Sequence, residues 1–117
     1  MLPVRSYVVP VVLRDDYQIG YERADGYTFG HITVTRWSPA IARSIRADIQ
    51  AAHELHRDAL YALGLPGDAK QARFLELYGF HPCGTVRNED GVTVPIYERT
   101  LDGRPIRRWT DHPDDPL

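Results

Sequence analysis

Two side chains able to act as a general base stand on neighbouring segments of this sequence: Glu22 in YQIGYERADG and His31 in YTFGHITV. A carboxylate or an imidazole usually fills that role, acting directly or through water. Exposed strands also carry Glu and His commonly, so position rather than residue type must decide. A second group is RWSPAIAR, residues 36–43, where Ser38-Pro39 opens a helix between Arg36 and Arg43. Serine at the N-cap and proline at the first helical position make a strong helix start. The N–H groups of such a terminus, with two guanidinium groups beside them, attract an anion. N-capping alone is the simpler account of the serine. His53 and His56 stand one turn apart, as metal ligands can, but no third ligand is in register and no metal is expected. Cys83 is the single cysteine. It excludes an internal disulfide and Cys-based zinc patterns, and no sequence neighbour activates it as a nucleophile.

These residues need elements to hold them. Residues 4–13, VRSYVVPVVL, read as a strand, and Pro10 removes a ladder donor, so the strand lies at an edge or is bulged. Ala24-Asp25-Gly26 marks a tight turn between strands 17–23 and 27–36, which carry Glu22 and His31. The period then changes. Ile41, Ile45, Ile49, Ala52 and Leu55 recur at helical spacing, with Arg43, Arg46, Gln50, His53 and Arg57 on the other side, so a helix runs to about His56. Residues 59–63, ALYAL, form a short buried strand. Asp68 caps a second helix, 69–78, which ends on Gly79 as its left-handed residue. A hairpin follows with its turn at Asn88–Gly91. The order β-β-β-α-β-α-β-β contains a strand–helix–strand centre, which implies a parallel pair and a mixed sheet flanked by helices.

The 117 residues suffice for one modest core, read as a single domain over 1–103 with a loose tail, 104–117. A formal net charge of −2 gives no general pull toward nucleic acid. Thirteen of the fourteen basic residues are arginine, which suits carboxylate or phosphate recognition as well as an ordinary surface. No apolar run is long enough for a membrane span and the first residues lack signal-peptide grammar, so a cytoplasmic protein is expected.

The ordered set GHITVTRW, SPAIARSIRADIQAAHELH, DALYAL, ARFLELYGF and GTVRNEDGVTVPIYERTL resembles the GNAT superfamily of acyl-CoA-dependent N-acetyltransferases over roughly residues 5–100. The resemblance implies a small α/β (α+β) fold with a mixed, mostly antiparallel sheet flanked by two main helices. Helix 69–78 followed by Gly79-Phe80 looks like the family's fourth helix and its recurrent Gly-Phe step. The resemblance implies acetyl-CoA as cofactor. Its pantetheine arm would run along the strand at Ile32, Val34 and Thr35. Its pyrophosphate would lie at Arg36, Ser38, Ala40, Ile41, Ala42 and Arg43.

Three departures stand against that pattern. The family's phosphate loop, Gln/Arg-x-x-Gly-x-Gly/Ala, corresponds here to Arg36-Trp37-Ser38-Pro39-Ala40-Ile41, with Pro39 and Ile41 in place of glycines. Proline lacks an N–H, and isoleucine adds bulk where backbone approaches phosphate. Many of these enzymes carry a proton-donating tyrosine on the fourth helix, where this chain has Leu75; Tyr78, three residues on, is the available substitute. The two helices that usually follow the family's first strand have no counterpart, which shortens the acceptor site or leaves it to another chain. A protein partner or a homodimer is therefore expected. Two readings stay open: an N-acetyltransferase using Glu22, His31 and Tyr78 on an amine, or an inactive scaffold that binds proteins. Short chains of this style are similar to ones encoded by tailed bacteriophages, some host-directed or virion-associated.

Overall fold

A computed structural model describes residues 7–109 and divides the chain into two compact units, Met1–Arg57 and Asp58–Leu117. The described residues form six strands and two helices, an α+β fold in which the strands within each unit pair antiparallel.

The first unit is a three-stranded meander with one helix. Strand β1 (Val8–Leu13) pairs with β2 (Tyr17–Ala24), which pairs with β3 (Tyr27–Val34). The β2–β3 turn is a two-residue one in which both Asp25 and Gly26 take positive φ, 53° and 82°. That conformation matches the right-handed twist of a hairpin and selects Asp-Gly. In β1 the register slips between Pro10 and Val12, so Val11 is the extra residue of a bulge. Helix α1 (Pro39–His56) starts where the serine–proline pair places it. The buried face differs from the expected one. Ile45, Ile49 and His53 are buried while Leu55 is 88% exposed. The true stripe runs at spacings of four from Ile41 to His53, and an imidazole rather than Leu55 closes it. Tyr17, Ile19 and Gly20 of β2 are buried, as is Thr28 of β3, which pairs with Arg23.

The second unit holds β4 (Leu60–Leu63), α2 (Ala69–Leu77), β5 (His81–Arg87) and β6 (Thr93–Arg99). Strand β6 pairs antiparallel with both β4 and β5. The two strands that flank α2, β4 and β5, run the same way with β6 between them. Val94, Ile96 and Tyr97 of β6 are buried with Leu60, Tyr61 and Ala62 of β4, and a strand so apolar belongs in the middle. Asp68 caps α2 by accepting from the Gln71 N–H at 3.0 Å, and Gly79 ends it at φ 89°.

The loose tail is corrected as far as Trp109. The Trp109 N–H donates to the Cys83 carbonyl at 2.8 Å and its carbonyl accepts from the Thr85 N–H at 3.3 Å, beside β5. Two further amides, those of Ile106 and Arg107, donate to the Glu98 carboxylate at 2.9 and 3.2 Å. Residues 110–117 of the expected tail lie outside the described residues.

Candidate functional site

Strand pairing puts Glu22 opposite Phe29 and Gly20 opposite His31, so Glu22 and His31 are diagonal neighbours on one face. His31 Nε2 lies 2.8 Å from Glu22 Oε1, with side-chain exposures of 47% and 26%. A carboxylate that holds one ring nitrogen fixes the imidazole's orientation and tautomer. The pair is geometrically competent to take and hold a proton. Ile32 and Val34 alternate with it and point to the opposite face, where they pair with Ile19 and Tyr17. Helix α1 is also on that face, because the Tyr17 hydroxyl bonds to Ser44 at 2.6 Å and to Asp48.

The β3–α1 junction gathers Thr35, Arg36, Ser38, Ala40, Ile41, Ala42 and Arg43. Ser38 adopts extended backbone and its hydroxyl accepts from the Ile41 N–H at 3.1 Å, while its carbonyl accepts from Ala42 at 2.9 Å. The carbonyl of Asp16 reaches the same junction. It accepts from the N–H groups of Thr35 and Arg36 at 2.9 and 3.4 Å and from the Thr35 hydroxyl at 3.1 Å. Trp37 is half exposed.

The turn that supplies Asp16 also grips α1. Arg14 donates through Nε and Nη2 to the two Asp48 oxygens, both at 3.0 Å, and Tyr17 donates to the same carboxylate. Hydrogen bonding from Arg14, ahead of that from Tyr17, holds the Asp48 carboxyl below its ordinary range. Burial, and then the bond to Asp48, pushes the Tyr17 phenol up. Thus residues 14–17 tie both the end of β3 and the third turn of α1. Sequence reasoning missed this set, since Arg14 and Asp48 are 34 residues apart and neither stands in a motif. Ser44 and Asp48 at helical i, i+4 spacing were the one available hint.

Solved structures settle what architecture these elements compose. A protein assigned to the GnaT family of acetyltransferases, from Bordetella pertussis, matches 73% of this chain with a TM-score of 0.57 at 18% identity. The ribosomal-protein-S5-alanine acetyltransferase from Vibrio fischeri matches 77% with a TM-score of 0.56 at 13% identity. The fold is that of a GNAT acetyltransferase. This chain spans 57% of the length of each of those proteins. Neither a family model nor a curated protein matches the sequence.

A GNAT fold implies acetyl-CoA, whose pyrophosphate needs free backbone donors at the α1 N-terminus. The residues present fit it poorly. Pro39 has no N–H, and the amides of Thr35, Arg36, Ile41 and Ala42 are already bonded within the chain. Arg36 and Arg43 are exposed and supply charge without a backbone cradle. Leu75, at the position of the family's proton-donating tyrosine, is buried. Tyr78, in the second unit, is 3% exposed, with its ring edge-on to Phe74 at 4.9 Å.

Proposed function

We propose that this GNAT-fold chain works as a protein-interaction module rather than as a CoA-dependent enzyme. The observation that carries the reading is the β3–α1 junction, where Asp16 and Ser38 already accept from the amides of Thr35, Arg36, Ile41 and Ala42 and Pro39 has no N–H. A phosphate entering there must compete with hydrogen bonds that the chain already makes. Strand β1 offers the surface for such a role. Val8, Val9, Val11 and Leu13 are all exposed on a strand that ends the first unit's order β1-β2-β3. A concentrated row of exposed apolar residues marks a contact surface. A homodimer, or one partner protein, is the occupant this reading expects.

Titration calorimetry with CoA and acetyl-CoA tests it. The expected result is no saturable heat in the millimolar range. Micromolar binding that Ser38→Glu abolishes would sink the module reading in favour of the enzyme.

The second reading is acetyl transfer to an amine, and the Glu22–His31 pair at 2.8 Å is the observation in its favour. In that case His31 takes the amine proton while Glu22 orients the ring, the amine nitrogen bonds to the acyl carbon, and the C–S bond breaks to release CoA thiolate, which takes its proton from solvent. The His31→Gln variant would then lose about 10²-fold or more in rate with little change in cofactor affinity.

A further inference from the structure

We propose that residues 105–109 form a pH-gated strap over the edge of β5, latched by the ionised Glu98 carboxylate and loosened when that group takes a proton. What the strap covers is a sheet edge. Strand β5 pairs with β6 along one side, and on its other side Trp109 forms an isolated parallel bridge with Gly84. There the Trp109 N–H donates to the Cys83 carbonyl and the Trp109 carbonyl accepts from the Thr85 N–H. A segment laid on an edge in this way occupies backbone groups that would otherwise invite a foreign strand.

The latch is Glu98 of β6, which is 4% exposed. Its Oε1 accepts from the Ile106 N–H at 2.9 Å; its Oε2 accepts from the Arg107 N–H at 3.2 Å and from the Tyr61 hydroxyl at 2.9 Å. Three donors thus point at two oxygens, and hydrogen bonds to an ionised acceptor are the stronger kind. A proton added to either oxygen meets a donor. The Tyr61 hydroxyl can turn to accept it, but a backbone N–H has no lone pair to offer, so the loss falls on the strap. Pro105, Ile106 and Arg108 are exposed, so their burial adds little to the seat.

The described groups that face Glu98 from the packed elements leave this sign intact. Burial, then the bond to Glu98, pushes the Tyr61 phenol of β4 up. Burial, then the charge of Glu98, pushes the Cys83 thiol of β5 up to about 12. Both stay neutral from neutral pH into acid. Arg107 of the strap stays cationic, and His81, opposite Glu98 in the β5–β6 register, can only gain positive charge. Among them Glu98 alone loses negative charge in acid. The latch is therefore complete at neutral pH and is lost as pH falls through the titration of Glu98, whether or not the first unit binds CoA.

NMR of the full chain, titrated from about pH 7 to about pH 3 across the carboxyl range, tests the latch. The Ile106 and Arg107 amide protons should move upfield together with one midpoint. Exchange protection at Arg107, Thr85 and Trp109 should fall about tenfold or more, while the amides of β2 and β3 keep theirs, because the opening is local. Glu98→Gln should show the released pattern already at neutral pH, alkylate at Cys83 faster than wild type, and lack the acid step. Tyr61→Phe removes one donor to the ionised form and should move the midpoint to higher pH, which keeps the test decisive should Glu98→Gln fail to fold. Ile106 and Arg107 amide shifts that stay fixed across the range overturn the proposal. So does an acid step that Glu98→Gln retains, or a midpoint that Tyr61→Phe leaves in place.

Discussion

Asp48 is the residue on which the first unit's electrostatics converge. Arg14 and Tyr17 both donate to its carboxylate, and the folded carboxyl titrates below its ordinary value. A depressed carboxyl contributes stability that is present above the unfolded pKa, about 3.9, and is lost as pH falls through the folded one. Asp48→Asn should therefore lower Tm by several degrees at pH 7. The gap between variant and wild type should close below about pH 3, as the wild-type carboxyl protonates. A gap that stays constant from neutral to acid pH would assign the loss to packing. Glu22 and His31 were legible in the sequence as candidate bases because both types alternate on a recognisable hairpin. Their approach to 2.8 Å was not, since it depends on the diagonal register of two strands.

At the scale of elements, the C-terminal segment meets β5 at one isolated parallel bridge, Gly84 with Trp109. Gly84 has φ 137°, and a Cβ there would lie 1.8 Å from the Trp109 carbonyl oxygen. Only glycine permits both the backbone conformation and the approach. Gly84→Ala should cost about 1–3 kcal/mol in backbone strain alone and lift residues 105–109 from β5. The readouts are a red-shifted Trp109 emission and faster Cys83 alkylation, since the thiol loses the burial that raises its pKa. Wild-type alkylation kinetics in the variant would refute the coupling. Sequence located every helix and strand to within a few residues, because caps, turn dipeptides and apolar period are local signals. It paired β5 with β6 through the local Asn88–Gly91 turn, but did not seat the tail, which rests on contacts made across the chain.

For the whole molecule, the fold persists where the expected chemistry thins. The same GNAT architecture at 13–18% identity carries a buried Leu75 and a closed phosphate junction here. No helix among the described residues is long and apolar enough to cross a membrane. If the exposed valines of β1 form the contact surface proposed above, the molecule should associate with itself as concentration rises. Sedimentation velocity should show a dimer that Val9→Lys returns to monomer. A concentration-independent monomer in wild type would leave β1 to a different partner protein.

The sequence by itself determined the element order, the Ser38 and Asp68 caps, the Gly79 stop and, through them, the GNAT resemblance. Each rests on interactions spanning a few residues, which local composition encodes. Only the tertiary structure decided that Asp16 closes the β3–α1 junction, that His53 replaces Leu55 in the core, and that Glu98 pins the C-terminal segment. Those outcomes depend on which donor meets which acceptor once distant segments are brought together. At that junction the acceptor is a backbone carbonyl, a group that every residue carries and no motif can mark.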